Sequence, residues 1–339
     1  MEYFIFCGDV DVNGGALENV TTGEWIPFNS NTQVWYSDHE KVSDSLVKQV
    51  EVLKPDILYI IGLYSWHFNI VPLIFCKGPK KILSVRGMLH PGALSQKKWK
   101  KMIYIRLFKL MEYHYKISFH ASNEEEEKYI ITHFGEVAPV YIAGNFPNDM
   151  GVISVAPKQP DALKMASIAL ISPMKNILLV LEALTNIKTP IVYNIYGAIK
   201  DIGYWEECKQ KIKTLPDNIV VKHHNEIEPG QVKEALSHSH IFVLPSKSEN
   251  FGHAIFEALS AGRPVVASHH TPWNGLKESN AGINVSIEDA SELTDAIEFF
   301  ASLNQEGMEK WSTAARNYSE EAVDVEAIKA DYKKMFALL

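Results

Sequence analysis

Two acidic residues, Glu249 and Glu257, bracket the seven-residue stretch Asn250-Phe-Gly-His-Ala-Ile-Phe256. An ionised carboxylate only accepts hydrogen bonds, so a pair of them suits the hydroxyl groups of a ribose and a sugar. Between them, Gly252 lets a ligand approach bare backbone. The residues after it have helical spacing, and a helix start leaves N–H groups without intrahelical acceptors. Those N–H groups, from Asn250 through Phe251, Gly252 and His253 to Ala254, carry partial positive charge and suit a diphosphate. An anion cradle flanked by hydroxyl acceptors is the chemistry of a sugar-nucleotide site. The competing reading is an ordinary strand–helix unit with two solvated glutamates.

The elements that must position these groups are legible on either side. Ile241 to Leu244 is an apolar run of strand length, broken by Pro245 and Ser246. Residues 247–252 form a polar loop. His253 to Ala261 places Ala254, Ile255, Ala258 and Leu259 one turn apart, as a core-facing helix does. Gly262 and Pro264 end that helix, and Val265 and Val266 begin the next strand. The unit is strand–loop–helix–strand, half of a doubly wound α/β fold.

With these flanks, Glu249-Asn-Phe-Gly followed by Glu257-Ala-Leu-Ser-Ala-Gly-Arg-Pro-Val resembles the E-x7-E signature of family GT4, the retaining glycosyltransferases of GT-B fold. The resemblance implies two Rossmann-like doubly wound domains facing a central cleft, with the donor in the second and the acceptor in the first. It implies that Glu249 grips the donor sugar, Glu257 holds the ribose, and no metal or cofactor is required. Lys175, in Ser172-Pro-Met-Lys-Asn176, matches the family lysine that balances the donor diphosphate. Leu170 stands where the family arginine would be, leaving one fewer positive charge there.

Other segments extend the likeness to a subgroup that builds bacterial surface polysaccharide. Arg86-Gly-Met-Leu-His90-Pro91 resembles its RGML-P segment, and either Arg86 or His90 could stand in for the family's active-site histidine. Gly14 and Gly15 resemble the GG loop that contacts donor phosphate, although a simple turn explains the pair equally well. Thr271-Pro-Trp273 resembles a TPW segment that serves either packing or the acceptor. Ser122 to Glu125 reads as a helix cap of capping-box form, and Asn145-Phe-Pro-Asn148 resembles a turn that closes the first domain. Asp9 and Asp11 form a DxD, but directly after a first strand, where no metal role is expected. His238, His240 and His253 have no carboxylate or Cys at metal spacing and read as non-ligands. His223 and His224 end the strand that holds the nucleobase in the family, so the base is left open.

Length and composition are those of a globular protein large enough for two domains: 339 residues, net charge −8, three widely spaced cysteines. Such a charge offers no general nucleic-acid footprint. The odd cysteine count suggests buried thiols in a reducing compartment. No basic leader precedes the first strand, Tyr3 to Cys7, which reads as buried, and no apolar run approaches the roughly 20 residues of a spanning helix. A cytoplasmic protein is expected. Its domains are expected to be 1–152 for the acceptor, 153–318 for the donor, and a segment 319–339 packing back on the first, helical from Glu320.

One region departs from this balance. Between Lys77 and Lys116 there are eleven Lys or Arg and one acid, Glu112. Residues 97–111 form a basic, aromatic-rich amphipathic helix, which suits either an anionic membrane surface or a core-packed helix with a solvated basic face. The function implied is transfer of a sugar to a glycan or lipid-linked glycan, with possible peripheral contact on the inner face of the membrane. The alternatives are a sugar-nucleotide-binding subunit of little activity, and a GT-B phosphorylase or epimerase.

Overall fold

The computed structural model describes residues 2–10, 14–18, 20–95, 97–136 and 139–337. The chain divides into two compact units. One runs through Asn145 and resumes at Ala327, and the other is Phe146–Glu326.

The first unit holds strands β1 (Tyr3–Gly8), β2 (Trp25–Asn29), β3 (Thr32–Ser37), β4 (Ile57–Ile61), β5 (Lys80–Ser84), β6 (Ser118–Ala121) and β7 (Val140–Ile142). Among the described residues they form a three-stranded sheet, β1-β3-β2, and a fully parallel four-stranded sheet, β4-β5-β6-β7. β1 is not the buried strand its apolar sequence suggests: Tyr3, Phe4 and Ile5 are 37–50% exposed. The reason is topological: among the described residues β1 pairs only with β3 and lies at a sheet edge. The β2–β3 hairpin, turning at Asn29–Thr32, had no signal in the sequence reading. The core of this unit gathers Leu83, Val85, Phe119, Ile130 and Phe134 between the four-stranded sheet and its helices.

The helix Glu124–Phe134 is capped by Asn123, not Ser122, and the residue three positions on is Glu126, not Glu125. Glu126 is buried. Its carboxylate accepts from Ser122 N–H at 2.6 Å, from the Ser122 hydroxyl at 2.8 Å, and from the Gly87 N–H. A buried carboxylate needs such donors, and three of them explain its place in the interior.

The second unit is the doubly wound sheet. Its strands are β8 (Leu163–Ile168), β9 (Ile191–Tyr196), β10 (Ile219–His224), β11 (Ile241–Leu244), β12 (Val265–Ser268) and β13 (Gly282–Val285). They run parallel in the order β10-β9-β8-β11-β12-β13. Order reverses between β8 and β11. In open α/β sheets the crevice at the carboxyl ends of the strands flanking that reversal is where ligands bind. β11 is a continuous apolar run because both faces are covered, with Ile241 and Val243 at 0% exposure, and β8, interrupted by Lys164 and Ser167, buries Met165 as fully. Burying each such side chain contributes roughly 1.5–3 kcal/mol.

The segment that leads into β8 is bound to this second unit by buried cations and a histidine. Lys158 Nζ donates to the carbonyls of Gln159, Ala301 and Leu303, and Arg263, fully buried, donates to those of Leu236 and Ser154. At the other end of the unit, the helix expected from Glu320 is two helices, Gln305–Ala322 and Val325–Ala337, broken at Val323 and Asp324. The second of these packs Met335, at 0% exposure, within the first unit. Among the described residues the three cysteines are free thiols, with Cys76 and Cys208 buried.

Candidate active site

Two loops rise from the strands that flank the order reversal, one after β8 and one after β11. Lys175 lies on the first and Glu249 on the second, and Lys175 Nζ meets Glu249 Oε1 at 2.6 Å. The Ser246 hydroxyl donates to the same oxygen at 2.7 Å. Backbone bonds align the loops: Lys247 N–H to the Met174 carbonyl at 2.8 Å, and Glu249 N–H to the His270 carbonyl at 3.3 Å. The Glu249 side chain is 10% exposed and that of Lys175 24%, so the pair is largely shielded from solvent screening.

The helix His253–Ser260 begins at Gly252, whose φ is +77°. A side chain there would be strained and would also meet Trp273 and Ile255, both 3.2 Å from a Cβ at that position. The glycine is therefore required by its own turn and by the packing of Trp273. Trp273 is 4% exposed, and its indole N–H donates to the Phe251 carbonyl while its ring meets Phe251 edge-on at 5.3 Å. The Asn284 amide donates to the Trp273 carbonyl at 2.8 Å. Trp273 thus backs the loop at Phe251, and the Thr271 hydroxyl accepts from the Trp273 N–H at 3.3 Å. Phe251 also packs on His253, at 4.7 Å between rings.

Glu257 is half-buried on the second turn of this helix. Burial pushes its carboxyl above the usual carboxylate range, and the Asn148 amide, 3.4 Å away, pulls in the opposite direction. A half-buried carboxylate with one long hydrogen bond is a poor resting state for a charge. It gains from a ligand that brings hydroxyl donors.

The remaining sequence candidates lie in the first unit. Arg86 follows β5 with a φ of +47°. Its guanidinium donates to Asn145 Oδ1 and, at 3.2 Å, to the Tyr59 hydroxyl, and it also bonds Tyr332. Beneath it lies a residue that the sequence reading passed over. His120, at 0% exposure in β6, takes the Tyr59 hydroxyl at 2.7 Å and the Ser84 hydroxyl at 2.9 Å on Nδ1, and meets the Ala143 carbonyl at 2.8 Å through Nε2. Burial lowers its pKa, so it rests as neutral imidazole. The available signal was a single histidine inside the apolar run Ile117 to Ala121. His90 Nδ1 accepts from the Gly92 N–H at 3.1 Å, and the His90 ring stands edge-on to Tyr129 at 5.6 Å. Gly14 and Gly15 are exposed, and Gly14 has a φ of +82°.

Asp11 lies outside the described residues. Asp9 stands instead with Asp38 and His39, their ligand atoms within 4.8 Å of one another. Of the three histidines set aside, His240 is internal: its Nδ1 accepts from the Lys164 N–H at 3.0 Å and its Nε2 meets the Pro157 carbonyl at 3.2 Å.

The α/β architecture with parallel sheets is that of the GT-B glycosyltransferases. HepE of Anabaena, solved with UDP and glucose, is 16% identical, with 90% of this chain and 86% of that one covered and a TM-score of 0.69. Sucrose-phosphate synthase of Thermosynechococcus elongatus is also 16% identical, covering 99% and 89%, with a TM-score of 0.70. WaaG, a glycosyltransferase involved in lipopolysaccharide biosynthesis, is 11% identical over 98% of both chains, with a TM-score of 0.61. Residues 153–318 match the family model described as glycosyl transferases group 1, so that segment carries a domain of this family. No curated protein sequence matches the chain.

Proposed function

We propose that this chain is a retaining glycosyltransferase of the GT4 type. It would move a hexose or similar sugar from a nucleoside diphosphate sugar to a glycan or lipid-linked glycan of surface polysaccharide synthesis. The observation that carries the reading is the Lys175–Glu249 pair at the order reversal of the second sheet, beside the Gly252 helix start. The relatives solved with UDP make a uridine donor the first choice.

In this reading Glu257 takes the ribose hydroxyls and Glu249 those of the donor sugar. Lys175 and the N–H groups from Asn250, Phe251, Gly252 and His253 take the diphosphate, with Gly14 and Gly15 as further phosphate contacts. The bond from the anomeric carbon to the diphosphate breaks while a bond to the acceptor oxygen forms on the same face. The acceptor's proton passes to the departing phosphate oxygen. Charge develops on that leaving group, so fixed positive groups lower the barrier, and neither a metal nor another cofactor is needed. The acceptor falls to the first unit, where His90 is the nearest candidate to Arg86 in sequence. Trp273 is assigned to support of the donor loop, and Arg86 to holding the Asn145 turn. A lipid-linked acceptor places the protein at a membrane face, and no helix among the described residues is long and apolar enough to cross one.

The test is thermal stabilisation by UDP, GDP, ADP and CDP, with and without magnesium, followed by the anomeric configuration of the product. A nucleotide at 100 times its Kd adds about 2.7 kcal/mol. A metal-independent shift by one nucleotide supports the reading, and an inverted product or no shift at all ends it. One observation favours a second reading, a binding subunit with little turnover. Leu170 supplies no charge and Lys175 is already neutralised by Glu249, so the diphosphate meets less positive charge. Tight nucleotide binding without donor hydrolysis would select it.

A further inference from the structure

The helix Lys98–Leu110 has two apolar faces, and only one of them is used by the fold. On the inner face Ile105 and Phe108 are 3% and 5% exposed, and Phe108 packs on Phe134 at 5.2 Å. On the outer face Trp99 is 83% exposed, Ile103 57%, Leu107 51% and Leu110 78%. At about 100° per residue these four lie within an arc of about 80°. The outermost strip of this core-packed helix is therefore apolar, not basic.

The cations flank that strip. Lys100 borders it on one side, and Arg106, Lys109 and Lys98 follow on the other, all exposed. Lys101 is not among them. Its Nζ donates to the Ala93 carbonyl at 2.6 Å and sits 5.2 Å over the Tyr64 ring, so it belongs to the fold. The helix contains no acid.

Charge decides what covers this face. A second copy of the chain, docked by the same strip about a two-fold axis, would bring like cations together along both borders. An anionic bilayer offers what the face asks for, acyl chains for the strip and phosphates for its borders. Lysine and arginine stems reach up to headgroups from an inserted helix, and tryptophan favours that interface.

We propose that this helix lies flat in the headgroup layer of an anionic bilayer. Trp99, Ile103, Leu107 and Leu110 insert among the acyl chains, and Lys98, Lys100, Arg106 and Lys109 contact lipid phosphates. The proposal deepens the peripheral-membrane part of the proposed function and rests on that part alone, not on sugar transfer.

Flotation of the full chain with vesicles tests it, using phosphatidylcholine alone and phosphatidylcholine with phosphatidylglycerol. The wild type is expected to float with the anionic vesicles and stay behind with the neutral ones. The double variant Trp99→Ser, Leu110→Ser is expected to lose about tenfold or more of that partition, with its melting temperature and any nucleotide shift unchanged. Charge reversal at Lys98, Lys100, Arg106 and Lys109 should abolish it, and added salt should weaken it. Equal flotation of wild type and double variant overturns the proposal, as does a wild type that ignores anionic vesicles. So does a wild-type dimer in free solution that the double variant turns into a monomer. A failed transferase reading would show separately, as the absence of a nucleotide shift in a protein that still floats.

Discussion

Lys175 and Glu249 are 74 positions apart in the chain, yet their charged atoms meet at 2.6 Å. In the free protein each neutralises the other, so an arriving diphosphate competes with Glu249 for the ammonium. Lys175→Ala should then lower kcat by about a hundredfold or more, since the leaving group loses its fixed cation. Glu249→Gln should lower kcat as well, and the double variant should be far less impaired than the product of the two singles. Steady-state kinetics across the four proteins measures this, and simple additivity would separate the two residues.

Glu257→Gln should make the free protein slightly more stable and its nucleotide complex weaker. Burial raises the native carboxyl above its ordinary value of 4.5. The native state therefore holds the proton more tightly than the unfolded one. The stability this contributes is full below 4.5 and is lost as pH rises through the raised native value. At neutral pH the ionised group is a burden that glutamine removes. Ligand hydroxyls donating to the carboxylate would be lost with it, weakening nucleotide binding about tenfold. Melting curves from acid to neutral pH, with and without nucleotide, read both effects.

The segment entering the second unit should loosen in mild acid through His240. Burial depresses its pKa from 6.5 to about 4. The neutral ring accepts from Lys164 N–H on Nδ1, and a proton there removes that acceptor. The unfolded state takes up the proton first, so stability is lost as pH falls from 6.5 towards 4, by about 3 kcal/mol in all. Denaturant midpoints for His240→Gln should vary less over that window than those of the wild type.

Arg86→Lys should destabilise the first unit by roughly 1–3 kcal/mol and leave the nucleotide shift intact. A lysine cannot reproduce the fork that reaches Asn145 and Tyr59 together. Thermal unfolding of the variant with and without UDP separates the two units. A lost nucleotide shift with unchanged stability would move Arg86 into the donor site.

What the sequence disclosed follows from how local each feature is. The strand, loop and helix around Glu249 and Glu257 occupy under thirty consecutive residues, and their apolar spacing and breakers show them directly. The pairing of Lys175 with Glu249 is not local. Resemblance marked the two residues separately, one for the diphosphate and one for the donor sugar, and no periodicity could place the two loops side by side. His120 draws on Tyr59, Ser84 and Ala143, each 23 to 61 positions away, so a lone histidine in an apolar run gave no hint of its partners. The cap at Asn123 differs from the expected Ser122 by one residue, a distance at which neighbouring polar side chains compete equally. The helix Lys98–Leu110 was found, but a helix with two apolar faces does not reveal which one meets the core. β1 shows the same limit for strands, since an apolar run states that burial would be favourable and leaves open whether a neighbour strand arrives.

The first unit is discontinuous: it closes only when residues beyond Ala327 return to it, with Met335 buried there and Tyr332 bonded to Arg86. The second unit is one unbroken segment. On the ribosome, where residues emerge in order, the later-made half therefore has all of its parts before the earlier-made half does. The strands of the first unit are thus made early, and the Met335 side chain that they bury is made only after the whole of the second unit.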